Sequence, residues 1–288
     1  VFADVNPNTY NIDPESIKKL ITDKTKAVVA VDFTGQAVEL DEIRAICRVH
    51  NLILIEDAAH SLGTRYNGQP IGSIADMTTF SFHPVKTVTG GEGGAITTND
   101  EELYKKLRLL RTHGITRNAE EMVHPTDDPW YQEQVCLGYN YRMTDFQAAL
   151  ILSQLKKLPA FSMRRKEIVD MYDEAFVMMP EIKVQREILE SDTTRHLYII
   201  RLNLDTLTCT RREFFDALYA ENTRPQIHYL PVYWHSYYEK LGYKKGLCPN
   251  AEKLYEEIMS IPLYYSLTDN DVKDVITAVK KVVEYYKK

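Results

Sequence analysis

The sequence predicts an α/β protein: a large domain over residues 1–159 built on a mostly parallel sheet, then a small α+β domain over 160–288. Three observations carry that expectation. Between residues 27 and 98 apolar runs of strand length alternate with helical spacing, the pattern of parallel strands joined by crossover helices. The runs AVVAV (27–31) and LILI (52–55) are apolar at consecutive positions, as strands covered by helices on both faces require. A chain of 288 residues is also long for one core, so a second unit is expected beyond the sheet.

In chain order, strands are expected over 27–33, 52–55, 77–82 and 94–98, with a helix over 40–50. Thr98-Asn99-Asp100-Glu101 reads as a capping box opening a helix that continues through Leu103, Leu107 and Leu110 to Arg111. Residues 116–135 carry Pro125, Pro129 and acidic and aromatic residues, and read as a long loop. Helical spacing resumes over 144–158 and 164–178, the second stretch long enough to join two domains, and the boundary is set near Pro159. The small domain then offers a strand over 196–204, a helix capped by Thr210-Arg211-Arg212-Glu213, a short apolar segment over 226–229 and a terminal helix from Asp269.

Composition narrows the function class. Hydrophobic residues at 44% and charged residues at 26% are those of an ordinary globular chain. A net charge of -6 without long runs of one sign offers no basic stripe, and the nineteen tyrosines are dispersed, so nucleic acid is not the expected partner. Cys47, Cys136, Cys209 and Cys248 form no CxxC pair, which points to a reduced cytoplasmic protein without a metal site. No apolar run approaches the length of a membrane span, and residues 1–5 lack the features of an export signal. The chain opens in what reads as a strand-to-loop passage with no Met, so the large domain is expected to lack its N-terminal part.

Two segments carry the candidate chemistry. Asp57 follows LILI and so stands just beyond the carboxyl end of a parallel strand, the edge at which open α/β sheets bind ligands. A carboxylate there can keep a pyridine nitrogen protonated; the plainer alternative is a helix N-cap. Lys86 lies beyond the next strand, where a lysine works as a nucleophile when burial or nearby cations lower its pKa. Taken singly it reads as a solvated loop residue. Gly90-Gly91-Glu92-Gly93-Gly94 lies directly after it and precedes a strand rather than a helix, which makes it a turn beside the lysine and a weak phosphate loop. Ser81 can donate to a phosphate and His60 can bond a phenolic oxygen, though each residue type is more often structural.

The blocks EDAAHSLG (56–63), FSFHPVKTVTGGEGGAITTND (80–100) and GYNYRMTDFQAAL (138–150) resemble, in order and spacing, three signature blocks of the DegT/DnrJ/EryC1/StrS aminotransferases. The resemblance implies the pyridoxal-phosphate-dependent transferase fold type I, of aspartate-aminotransferase kind, and pyridoxal 5'-phosphate as cofactor. It makes Lys86 the lysine that holds the cofactor as a Schiff base and the base that moves a proton from the substrate α-carbon. Asp57 then pairs with the pyridine nitrogen, His60 lies near the ring oxygen and Ser81 meets the phosphate. Asn140 matches the residue that reaches the neighbouring subunit's cofactor, so a homodimer with shared active sites is implied. Family members carry a further upstream segment with a phosphate-binding turn and a stacking aromatic.

SFHPVK (81–86), RTHG (111–114) and QIHYLPVY (226–233) most resemble the pseudaminic-acid branch. That implies transfer of an amino group from glutamate to C4 of a UDP-linked 4-keto-6-deoxy-N-acetylhexosamine, in the biosynthesis of a surface glycan or nonulosonic acid. Substrate contacts would come from His83, His113, Arg142, His228 and Tyr229; for the 226–229 segment a core strand with one satisfied histidine is the plain alternative. A sugar dehydratase of the same fold would carry His in place of Lys86. A catalytically silent relative that binds a ligand or partner is the alternative from another class.

Overall fold

The computed structural model describes residues 1–288. Its first half runs α1 (Pro14–Leu20), β1 (Ala27–Val31), α2 (Leu40–Val49), β2 (Ile53–Asp57), the two-residue strands β3 (Arg65–Tyr66) and β4 (Gln69–Pro70), β5 (Met77–Ser81), β6 (Gly94–Thr97), α3 (Glu101–Arg111), β7 (Ile115–Thr116), β8 (Glu133–Gln134) and α4 (Asp145–Leu155). The second half comprises α5 (Leu158–Phe176), β9 (Ile182–Val184), β10 (Ser191–Asp192), β11 (Tyr198–Leu202), α6 (Arg211–Ala220), α7 (Ser236–Lys240), α8 (Pro249–Glu257), β12 (Ile258–Ile261) and α9 (Asp269–Tyr286). No helix is long and apolar enough to cross a membrane.

The main sheet has the order β1-β2-β5-β6, parallel over the first three strands and antiparallel at β6. Helix α2 covers it through Leu40, Ile43, Ile46 and Cys47, which recur at helical spacing on one face. Val28, Ala30 and Leu54 point into the core on that face, while on the other face, where side chains alternate, Val29 and Val31 are 57% and 44% exposed and Ile55 and Thr79 are half-buried.

A separate antiparallel sheet, β12-β11-β9, packs against α5, α6 and α9 in the second half. Each half has its own core, one around Leu40, Ile43, Leu54 and Phe80, the other around Ile168, Tyr172, Ile200, Phe214 and Met259. Helix α5 runs between them: Leu158 packs on the first core and Ile168 belongs to the second. On these cores we propose a division into residues 1–159 and 160–288.

Several local expectations shift. Helix α5 opens at Leu158 with Pro159 in its first turn, where the fixed φ of proline suits a helix start rather than a break. The cap of α3 is Asp100, whose carboxylate accepts from Leu103 N at 2.8 Å, and not Thr98. Thr98 donates instead to Asp76 O at 2.7 Å, tying the end of β6 to the approach to β5. The 226–229 segment forms no strand; Gln226 makes one antiparallel bridge with Ser260 beside β12.

Among several contacts that hold the halves together, including the pairing of β3 with β10, two bear on the site. Asp4 caps α8, accepting from Asn250 N at 3.0 Å and Ala251 N at 2.9 Å. The second lies at Gly35. Thr34 O accepts both His196 N at 2.7 Å and Leu197 N at 3.1 Å, and Thr64 Oγ1 donates to Gly35 O at 2.8 Å while accepting from Thr194 N at 3.0 Å. Gly35 has φ +106°, and a Cβ there would stand 2.9 Å from His196 N and 3.1 Å from His60 O. Both obstacles are backbone, so neither can swing aside. Gly35→Ala is therefore expected to destabilise the fold by on the order of 3 kcal/mol, read as a lower midpoint in urea unfolding; an unchanged midpoint would show that the approach is looser than this geometry.

Candidate active site

The carboxyl ends of β1, β2 and β5 lie in register, with Val31 opposite Asp57 and Asp57 opposite Thr79. Asp32 N donates to Asp57 O at 3.0 Å and Ala58 N to Thr79 O at 2.9 Å, so each strand end fixes the loop of its neighbour. No α-helix follows Asp57. Its Oδ1 accepts from Ala59 N at 3.1 Å, closing a turn, and Oδ2 has no protein partner. The N-cap alternative thus fails for want of a helix.

Because side chains alternate along β2, Glu56 points opposite to Asp57 and into the core. There it meets Asp32. Thr78 Oγ1 donates to Glu56 Oε2 at 2.9 Å, and Ser61 Oγ and Val38 N donate to the two Asp32 oxygens at 2.5 and 3.0 Å. Burial, above all, raises the pKa of both acids, and for Asp32 the charge of Glu56 adds to it.

After Ser81, at the end of β5, the chain turns through His83 to Lys86, whose N–H donates to His83 O at 2.9 Å. The glycine run closes this loop: Phe82 N donates to Gly93 O at 2.8 Å and Gly90 N to Phe82 O at 3.0 Å. A Cβ on Gly90 would stand 2.7 Å from Ile151 Cδ1, so glycine lets α4 press against the loop. Lys86 is half-buried and makes no ion pair; burial lowers its pKa while the charge of Asp57 acts the other way. Ser81 Oγ accepts from His83 N at 3.3 Å, which leaves its hydroxyl proton free.

Imidazoles gather around the lysine. His60 is 8% exposed, and burial, followed by the charges of Lys86 and His228, lowers its pKa to about 3. His196, which precedes β11, lies with its ring 4.5 Å from that of His60; burial, then His60, Arg165, Lys86 and His228, lower its pKa to about 2. Both Nδ1 atoms are buried without a partner. His228 Nδ1 lies 2.6 Å from Ser260 Oγ, and burial and Lys86 push its pKa down. The rings of Phe33 and Tyr229 stand 6.2 and 6.3 Å from His60.

Of the residues singled out in the sequence, Asp57, His60, Lys86, His228 and Tyr229 therefore converge, with Ser81 at the adjoining strand end. The others do not join them within this chain. His83 is exposed, its Nδ1 accepting from Val85 N at 3.4 Å. His113 N donates to Tyr139 O at 2.7 Å, Thr112 bridges Asn140, and Arg142 Nε donates to exposed Asn140 Oδ1 at 3.1 Å. These form a separate surface group. His196, Phe33, Asp32 and Ser260 were not singled out; Asp32 and Phe33 end the expected strand 27–33 and His196 heads the one over 196–204, but nothing in those patterns marks the ring or acid each one meets.

A half-buried amine, a carboxylate with a free oxygen, a neutral imidazole and a free hydroxyl at the carboxyl ends of a parallel sheet define a pyridoxal-phosphate-dependent aminotransferase of fold type I. The DegT/DnrJ/EryC1/StrS aminotransferase family model matches residues 1–280, and the chain belongs to that family. It is 42% identical over 286 residues to the spore coat polysaccharide biosynthesis protein SpsC of Bacillus subtilis, covering 99% of this chain and 73% of that one. Against the UDP-4-amino-4,6-dideoxy-N-acetyl-beta-L-altrosamine transaminase of Helicobacter pylori identity is 33% over 287 residues, 100% of this chain and 73% of that one. The solved structure of Helicobacter pylori PseC, an aminotransferase involved in the biosynthesis of pseudoaminic acid, superposes with a TM-score of 0.91 at 33% identity, over 99% of this chain and 74% of that one.

The buried histidines have a consequence for stability. Their pKa values are lower folded than the ordinary unfolded value of about 6.5, so unfolding takes up protons below that pH. Their contribution is complete above about pH 6.5 and is lost as the pH falls towards 3. Each adds a slope of up to about 1.4 kcal/mol per pH unit. His196→Phe should remove one such share from the pH dependence of urea unfolding between about pH 6.5 and 5; an unaltered slope would mean that His196 is not buried uncharged.

Proposed function

We propose that this chain transfers the amino group of L-glutamate to C4 of a UDP-linked 4-keto-6-deoxy-N-acetylhexosamine, with pyridoxal 5'-phosphate bound at Lys86, in the biosynthesis of a surface glycan or nonulosonic acid. The observation that carries the reading is the convergence of Lys86, Asp57 and His60 beyond the ends of β2 and β5, with the lysine pKa lowered by burial. The names of the transaminase and of PseC support the substrate class.

The donor set fits the cofactor. Asp57 offers an anionic oxygen without a protein partner for the ring nitrogen, His60 an uncharged imidazole for the ring oxygen, and Ser81 a free O–H for the phosphate. When bound, the cofactor supplies an electron sink for the carbanion at the donor's α-carbon. The protein supplies position and proton movement. Lys86 Nζ, held in a half-buried setting that favours the neutral amine, takes the proton from that α-carbon. His60 stays uncharged, so it orients an anionic oxygen without competing with Asp57 for the proton on the ring. His228 and Tyr229 approach from the second half of the chain, the Tyr229 ring 6.3 Å from that of His60, and would contact the sugar nucleotide.

The surface group at 112–142 is read as the face that meets a second copy. Tyr139 and Tyr141 stack at 4.7 Å while 56% and 70% exposed, and Leu137 and Phe146 nearby are 88% and 91% exposed. Apolar surface of that kind needs a partner, and a two-fold dimer would bring Asn140 and Arg142 to the neighbouring site. His83 and His113 would reach substrate from the same side. The free thiols of all four cysteines fit the reducing cytoplasm.

Incubation with pyridoxal 5'-phosphate followed by borohydride should add the reduced cofactor to the peptide bearing Lys86, found by mass spectrometry. Lys86→Ala should lose that label and more than about a thousandfold in turnover. Labelling elsewhere, or a variant that keeps turning over the keto sugar nucleotide, would overturn the assignment.

A further inference from the structure

We propose that His196 is a positioning residue: brought over from the second half of the chain, it packs its ring on His60, keeps water from one side of that imidazole, and leaves Nε2–H as the single hydrogen-bonding group His60 presents to the site.

The geometry is specific. The two rings lie 4.5 Å apart at 41°, with Phe33 and Tyr229 closing further sides at 6.2 and 6.3 Å. His196 cannot drift: its N–H is held by Thr34 O at 2.7 Å and its carbonyl accepts from Arg165 Nη1 at 3.1 Å. The Nδ1 atoms of both histidines are buried and unpartnered. A neutral imidazole carries one N–H and one bare nitrogen, and a buried N–H without an acceptor costs more than a buried lone pair. The Nδ1 of His60 is thus the bare nitrogen, and the proton sits on Nε2.

Charge acts in the same direction. The groups whose fields reach His60 are Lys86 and His228, and those reaching His196 are His60, Arg165, Lys86 and His228. None is an anion, so a second proton on either ring would gain no carboxylate partner in a buried corner. Removal of the His196 ring would admit water to His60 Nδ1 and let it titrate in the ordinary range.

The pairing rests on the proposed function only for its consequence, a neutral donor toward the cofactor ring oxygen; the pairing itself is read without cofactor. In the full-length protein free of cofactor, the His60 ring nitrogens, identified by their loss in His60→Gln, should show the Nε2–H tautomer in nitrogen-15 NMR and no titration from about pH 8 to 5. His196→Ala should introduce a His60 titration near pH 6, and His196→Phe, which keeps a dry ring in place, should not. His196→Asn, smaller and polar, replaces His196→Ala should the latter fail to fold, with the same expected titration. In the loaded enzyme, His196→Ala should acquire an acid limb in kcat/KM that His196→Phe lacks. A wild-type His60 that titrates normally, or one that stays silent in both His196→Ala and His196→Asn, overturns the pairing while Lys86 labelling stands. Loss of Lys86 labelling would overturn the function and leave the NMR result intact.

Discussion

The close backbone approach at Gly35 is the constraint on which the site depends. Three passages meet there: the turn after β1, the loop after β2 and the segment before β11. Thr34 offers its carbonyl to His196 and Leu197, far along the chain, and Gly35 offers its own to Thr64, 29 residues away, while the side chains of Thr64 and Thr194 bond to each other at 3.0 Å across the same point. Backbone hydrogen bonds of this kind fix position to a fraction of an ångström, because neither partner has rotamers to spend. The two cores therefore meet with His60 from one against His196 from the other, and the cluster around Lys86 is assembled by that meeting.

Behind the cluster the protein manages its buried charges one at a time. Arg165, 6% exposed, has no carboxylate partner; its Nη1 reaches the carbonyls of Arg195, His196 and Leu263 at 3.1 to 3.2 Å, and burial lowers its pKa to about 10. Carbonyl dipoles take up the Nη1 protons without neutralising the charge, while Nε is buried without a partner, and that charge bears on His196. On the opposite side, burial raises the pKa of both Asp32 and Glu56, which accept from Ser61, Val38 and Thr78. The result is a site in which Lys86 feels one carboxylate and several neutral imidazoles.

How far the sequence could be read differs from residue to residue. Asp57 and Lys86 were legible because a parallel strand announces its carboxyl end: an apolar run stops, and the next polar side chain stands at the sheet edge. The glycine run was legible as a turn for a similar reason. Thr98 was misread as a cap because its hydroxyl has a distant claimant, Asp76 O, that no local pattern reveals. His196 stood in plain view at the head of a strand, yet nothing local marks a histidine whose partner lies 136 residues away.

By itself the sequence determined the alternation of central strands and helices, the family, and the places of Asp57 and Lys86 beyond the ends of β2 and β5, though it announced none of α1, α8, β9 and β12. Those features follow from periodicity and from short motifs, which depend on neighbours a few residues apart. Tertiary structure alone decided which histidines gather near Lys86 and which acids are buried together. Each of these is a matter of desolvation by groups remote in sequence, and burial is a property of the folded surroundings that no stretch of chain carries within itself.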